Sequence, residues 1–346
     1  MRGEMHTDRS VDRFRCGCYP GPYSSRLYCF GELGLMRILD KSEIQPGEID
    51  GLGHMNVRFY MERAQRANRL LMTEFGLGAE AIAPGRLVQH DTYCRYQREQ
   101  FQGSTLTVNG GVLEATPDAI RLFYELTNPA KGEIAATFII ANSLIDPVTG
   151  KILPLPASAL AAAAAERIEL PEHGRPRTID LGAPRLDLSF DEVAARLADD
   201  GEDPMSRRSE WTVEPAQCDE HGFLADTGAM MFGGGRMPSA EEMRRHGPMT
   251  FSSDEGHRLG WASLETRMVR VSQPRAGDQL CSLGAEIGLH SKVRHSRRWL
   301  FNAATGQLVS LNDNVSIALD LDARRSIEIP PSIRSKLETR HTPEFA

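Results

Sequence analysis

The sequence predicts an α+β protein made of two tandem copies of one unit, each an antiparallel sheet wrapped around a central helix. Three observations carry this. Residues 57–71 repeat apolar side chains at the spacing of one long amphipathic helix. Strand-like segments flank that helix, divided by hairpin-length turns rich in Gly, Pro, Asn and Asp. The second half then repeats the first at a constant offset of 174 positions, from Gly103 opposite Gly277 to Pro156 opposite Pro330.

Composition narrows the classes. A length of 346 residues suits two domains, and 40% hydrophobic with 25% charged residues is the balance of a globular chain. A net charge of −7 gives no reason to expect nucleic acid or an anionic membrane surface as partner. No apolar run approaches the roughly 20 residues that span a bilayer. The first thirty residues lack the apolar core of a secretory signal, so the cytoplasm is the expected location. Cys94, Cys218 and Cys281 lie in strand-like stretches and read as reduced thiols. Cys16, Cys18 and Cys29 offer too few ligands for a metal. No metal and no cofactor is expected.

Taken in order, residues 1–32 have no hydrophobic periodicity and read as a poorly ordered tail. Residues 33–44 form a first strand candidate. In the helix, Val57, Tyr60, Met61, Ala64, Ala67 and Leu71 take the core side, while Arg58, Arg63, Arg66 and Arg69 take the other. Asn56 is a favoured N-cap and Gly76 fits the stop. Strands are expected at 87–99, 104–114, 119–126 and 133–145; Val88, His90, Thr92, Cys94 and Tyr96 share one face of the first of these. The first domain is then 33–156. Residues 157–207, with an alanine run, scattered prolines and an acidic helical stretch, read as a linker. Residues 208–333 make the second domain, and 334–346 a C-terminal tail.

The repeat also reaches the turn before the helix. Asp219 and Gly222 stand opposite Asp50 and Gly53, at an offset of 169. There the copies diverge: Phe223 replaces His54 and Ala225 replaces Asn56. Residues 227–235 end in a triple glycine, and 236–249 read as an insertion or a short helix. Gly233 to Gly235 lack the strand and Lys-Ser/Thr context of a phosphate loop. One half reads as catalytic and the other as supporting.

In the first copy, a carboxylate and an imidazole sit beside a helix N-terminus, where free N–H groups and the helix dipole stabilise developing negative charge. That suits attack on a carbonyl. Each residue also has a plainer role: Asp50 as a turn former, His54 as a structural donor, Asn56 as a cap. Glu99 beside Arg95 and Arg98 reads as an ion-pair partner, outside the catalytic set. The basic run at residues 292–298 reads as the solvated face of a strand, with a site for CoA phosphates or an acidic carrier protein as the alternative.

Asp50-Gly51-Leu52-Gly53-His54-Met55-Asn56-Val57 resembles the D-x-x-G-H-[MV]-N-[NV] signature of hotdog-fold acyl-CoA thioesterases, nearest to the 4-hydroxybenzoyl-CoA thioesterase-like branch. Tyr96 to Glu99 and Gly103-Ser104 resemble that family's Y-x-x-E and G-D segments, with Ser104 in place of the usual Asp. The resemblance implies two tandem hotdog domains fused as a built-in dimer, a further homodimer being left open. It implies a thioester hydrolase acting on acyl-CoA or an acyl-carrier thioester. In such an enzyme Asp50 would be general base or nucleophile, with His54 and Asn56 orienting water or the carboxylate. Gly53 would admit the acyl carbonyl, and the backbone of Met55, Val57 and Arg58 would form the oxyanion hole. A hotdog hydratase and a non-catalytic acyl-thioester-binding protein are the rival readings. A chain beginning at Met36 is expected to match the full chain in melting temperature and activity; loss of either would refute that start.

Overall fold

A computed structural model describes residues 36–183, 188–198, 209–225, 251–252, 256 and 258–345. The expectations for the N-terminal tail, for Cys16, Cys18 and Cys29, and for residues 227–249 lie outside these. The first half runs β1 (Arg37–Glu43), α1 (Val57–Met72), α2 (Ala79–Ile82), β2 (Arg86–Tyr96), β3 (Thr105–Ala115), β4 (Ile120–Asn128), β5 (Glu133–Ile145) and β6 (Ile152–Leu153). Helices α3 (Ala157–Ala165) and α4 (Phe190–Ala198) lie in the connection. The second half runs β7 (Ser209–Thr212), β8 (Phe251–Ser252), β9 (Arg258–Arg270), β10 (Gln279–Leu289), β11 (Val293–Asn302), β12 (Leu308–Asp320), β13 (Arg325–Ser326) and α5 (Pro331–Glu338).

All strands join one antiparallel sheet in the order β1-β3-β4-β5-β2-β9-β12-β11-β10-β7. The order reads the same from either end, with the centre between β2 and β9. The duplication extends to register. Ser42 pairs with Leu106 as Trp211 pairs with Leu280, and Tyr96 pairs with Ala136 as Arg270 pairs with Ser310. Gly103, Gly132, Gly277 and Gly306 all hold positive φ, which explains why the repeat keeps glycine at these turns. The duplicated sheet is therefore present in the hydrogen bonding as well as in the sequence, while the expected central helix of the second copy falls outside the described residues.

The helix α1 covers one sheet face of the first half. Tyr60, Met61, Ala64, Ala67 and Leu71 are buried with Leu106, Val108, Leu126, Phe138 and Ile140 in one cluster. In the second half the positions equivalent to Ile44, Met55, Cys94, Leu106 and Leu126 are Val213, Leu224, Met268, Leu280 and Leu300, and they too form a cluster. A π-turn, Thr73–Leu77, ends α1, with Gly76 at φ 80°. Two helix expectations change. Val57 is exposed, because it opens the helix at the rim. Arg63, expected on the polar side, is 1% exposed and pairs with Glu48 at 2.8 Å. It also donates to Ser42 Oγ and to the Phe59 and Glu43 carbonyls, so its buried charge is compensated.

The opposite face is covered by the connection and the C-terminus. Ile168 and Ile179 pack on Tyr93, Phe123 and Ile139, while α3 puts Ala159 and Ala163 into the first core. Val193, Leu197 and Phe345 cover Leu283, Trp299 and Phe301. Within the basic run Lys292 is exposed, but residues 293–298 are half-buried, and Arg294 and Arg297 are already paired. Arg297 forms a bidentate pair with Asp313 at 2.6 and 2.9 Å, and Arg294 pairs with Glu286 at 3.3 Å and stacks on Trp261. Burial pushes the His295 imidazole below its ordinary value, with Asp313 opposing the shift.

Arg63→Ala strands Glu48 and is expected to lower stability by about 3 kcal/mol, read as a fall in the urea midpoint. Arg66→Ala, which breaks an exposed pair with Asp40, is expected to change it by less than about 1 kcal/mol.

Candidate functional site

The turn before α1 is fastened at both ends. Asp50 N–H donates to the His54 carbonyl and Gly53 N–H to the Asp50 carbonyl, both at 3.0 Å. Leu52 N–H donates to Asp50 Oδ1 at 2.8 Å. Gly53 sits at φ 83°, a conformation that a side chain would strain. Met55 N–H reaches the Gln100 carbonyl at 2.7 Å and Asn56 N–H the Glu48 carbonyl at 2.9 Å. Asn56 then caps the helix, its Oδ1 accepting from Arg58 N–H at 3.0 Å.

This bonding corrects the expected oxyanion donors. Of the three, Met55 N–H is taken by the Gln100 carbonyl and Arg58 N–H by the Asn56 cap. Val57 N–H, at the first helical position, has no acceptor among the described residues. The Arg58 guanidinium is held by Glu62 at 2.5 Å and lies over Phe59. The Met55 side chain is buried in the core.

The structure brings Asp50 and His54 together and adds two residues. Asp50 Oδ2 lies 3.7 Å from His54 Nδ1, and His54 Nε2 lies 3.6 Å from Glu99 Oε1. The imidazole therefore stands between two carboxylates. Glu99 pairs with Arg324, whose Nη1 also reaches the Leu52 carbonyl at 3.4 Å. The expected pairing of Glu99 with Arg95 and Arg98 is replaced. Arg95 turns to the His173 and Arg175 carbonyls, and Arg98 to the Gln97 carbonyl. The Y-x-x-E pattern was the sequence signal for Glu99. Arg324, in the turn between β12 and β13, has Gly150 as its repeat counterpart and carried none.

The second turn has the same backbone and different electrostatics. Asp219 N–H donates to the Phe223 carbonyl at 2.8 Å, and Gly222 sits at φ 77°. The Asp219 carboxylate, however, accepts from Arg86 Nε at 3.0 Å and from the N–H groups of His221 and Phe223. Burial by itself would raise this carboxyl, but the Arg86 bond and the backbone donors outweigh it and hold it below the usual carboxylate range. Phe223, in the place of His54, lies under the guanidinium groups of Arg86 and Arg275, at 4.5 and 3.9 Å. Asp50 Oδ2, by contrast, accepts no hydrogen bond among the described residues. Only the first turn leaves a carboxylate oxygen free.

Residues 44–163, which contain the Asp50 turn, α1 and most of the first sheet, match the thioesterase-like superfamily. No curated protein sequence matches the chain. Among solved structures, the fold resembles a putative oleoyl thioesterase from Lactobacillus plantarum, with a TM-score of 0.55 at 10% identity over 82% of this chain and 96% of that one. It also resembles an acyl-ACP thioesterase from Bacteroides thetaiotaomicron, with a TM-score of 0.54 at 10% identity over 81% and 97%. A 12:0-ACP thioesterase from Umbellularia californica gives 0.55 at 11% identity over 81% and 93%. At such identities the likeness is one of fold, and its coverage extends over both halves.

Because the Asp219 carboxyl is depressed in the folded protein, its pairing contributes stability above pH 3.8, and that contribution is lost as pH falls through the folded value. Asp219→Asn is therefore expected to be less stable than wild type at neutral pH. The gap between their thermal midpoints should close as the pH is lowered below 3.8.

Proposed function

Because residues 44–163 match the thioesterase-like superfamily, we propose that the chain is a thioester hydrolase that cleaves acyl-CoA or acyl-carrier thioesters at one working site, built on Asp50. The observation that carries this is the contrast between two equivalent turns. Asp219 is consumed by Arg86, while Asp50 keeps a free oxygen beside an imidazole and a helix start.

Asp50 Oδ2 takes a proton from water, or attacks the thioester carbonyl itself to give a mixed anhydride that water then opens. The developing oxyanion sits at the α1 N-terminus, where Val57 N–H is the donor left over by the turn and cap. One such donor is worth about 3 kcal/mol in the transition state. His54, between Asp50 and Glu99, is placed to orient water and to carry a proton toward the departing thiolate. Arg324 holds Glu99 in place and closes the turn from the second half. Asn56 fixes the helix start and so the direction of the Val57 N–H. Gly53 gives the substrate room, since nothing lies within 4 Å of where a Cβ would be.

The fused intrachain pair, with residues 33–156 as the catalytic domain and 208–333 as its degenerate partner, and a cytoplasmic location complete this reading. Among the described residues no helix is long and apolar enough to cross a membrane.

The test is a panel of acyl-CoAs with a thiol reagent as readout. Asp50→Asn is expected to lower kcat by about 1000-fold, and Asp219→Asn to leave the turnover of folded enzyme within about twofold. The double change His54→Phe with Asn56→Ala copies the second turn and is expected to abolish most activity; full activity would mean that the wrong half was chosen. Double-bond absorbance change without thiol release would point to a hydratase, and binding without turnover to a carrier of acyl thioesters.

A further inference from the structure

A cavity of about 440 Å³ lies where the second turn faces the helix of the first half. That volume is in the range of small-molecule sites. Its walls come from the later turns of α1 and the segment that leads to β2, the start of β2, Asn142, residues 219–221 and Ala225. Gln65 and Asn68 stand nine and twelve residues beyond Asn56, roughly 14 to 18 Å along the helix from the Asp50 turn. This is a separate place.

The wall carries neutral amides, and they are not all used. Asn68 and Asn142 bond to each other at 2.9 and 3.0 Å, and Tyr124 Oη donates to Asn68 Oδ1 at 3.1 Å. That trio is internally satisfied. Gln65 is not. It is 1% exposed, and neither its Nε2 nor its Oε1 has a partner among the described residues. Gln89, 5% exposed, has its Oε1 in the same condition. An unpaired buried polar group costs about 1–3 kcal/mol, and leucine would fill the Gln65 position without that penalty. A donor and two acceptors therefore line this cavity at a cost that the fold itself does not require.

The charges on the wall decide what fits. Arg86 and Asp219 neutralise each other. Arg69, Glu220 and His221 also line the cavity but stand exposed at its solvent side, so an ion reaching the buried end would meet no spare counter-charge there and would lose its hydration uncompensated. Met72, Leu77, Ile82 and Leu87 supply an apolar remainder. We infer that this cavity is a second ligand site, separate from Asp50, that holds an uncharged aliphatic molecule bearing an amide through Gln65 and Gln89 and does not hydrolyse it. Turnover is precluded because the Asp219 carboxylate is committed to Arg86 and two backbone N–H groups, and the nearby His221 imidazole turns to Glu220 instead, at 3.9 Å. Pantetheine, the uncharged diamide arm of CoA and carrier thioesters, has this chemistry; that choice of ligand rests on the thioester reading, while the site does not.

Calorimetric titration with pantetheine tests the site on four folded proteins: wild type, Asp50→Asn, Gln65→Leu and Gln89→Leu. Wild type and Asp50→Asn are expected to bind alike, and Gln65→Leu and Gln89→Leu at least tenfold more weakly. Unliganded Gln65→Leu is expected to melt no lower than wild type, which separates lost recognition from lost folding. Hexanoate, a charged aliphatic control, is expected to give no heat. Hexanamide is the control for an amide outside the pantetheine arm. Equal binding by Gln65→Leu and wild type, loss of binding in Asp50→Asn alone, or no heat from either pantetheine or hexanamide would overturn the proposal. The thioester reading fails on a different result, unchanged hydrolysis in Asp50→Asn.

Discussion

The pairing of β2 with β9 is the contact on which the other inter-half contacts depend. It joins Asp91 through Arg95 to Val269 through Glu265 and makes one sheet of two. Backbone bonds alone would allow the strands to slip, but the side chains around the seam do not. Arg267 grips Asp91 with two nitrogens, at 3.1 and 2.8 Å. Glu265, 3% exposed, accepts from Tyr93 Oη and from the N–H groups of Arg177, Thr178 and Ile179. A slip by one residue would strand that carboxylate without donors and turn every side chain to the wrong face. The seam therefore fixes register as well as joining. It also delivers one arginine across the join in each direction: Arg324 to the first turn and Arg86 to the second.

Those two arginines act on their turns in opposite ways. Arg86 binds the turn aspartate directly, adds two hydrogen bonds to it and lies over Phe223. Its carboxylate is stabilised as an anion and is a poor base. Arg324 avoids the aspartate. It takes the Leu52 carbonyl and Glu99, so its charge is answered away from Asp50. The backbone of the two turns is the same and cannot account for the difference. Which group the arginine reaches does.

Much of this was legible because it is written in local chemistry or in repetition. The turn glycines, the Asn56 cap and the constant offset are backbone requirements, and the sheet register repeats them strand for strand. Strand bounds came within a few residues, and 133–145 was read as it stands. What could not be read lies in contacts between distant positions. Arg324 meets Glu99 from 225 positions away, and helical spacing gave no reason to bury Arg63. The basic strand failed similarly: a run of arginines looks solvated until Asp313, Glu286 and the C-terminal segment are seen to close over it.

The persistence of Asp219 bears on how the first turn should be read. If catalysis alone kept aspartate here, the second copy, without His and Asn, would have been free to lose it. It remains because it does structural work. Its Oδ1 ties down His221 and Phe223, and its Oδ2 answers a buried arginine that would otherwise be left unpaired between the halves. Asp50 does the first of these jobs as well, through Leu52. Retention of the carboxylate is thus explained by the turn in both copies. What the turn does not explain is the oxygen of Asp50 that it leaves over, 3.7 Å from the His54 imidazole, with Glu99 on the far side of that ring and an unengaged Val57 N–H at the helix start. Catalysis has to be argued from that surplus, because the aspartate by itself is accounted for.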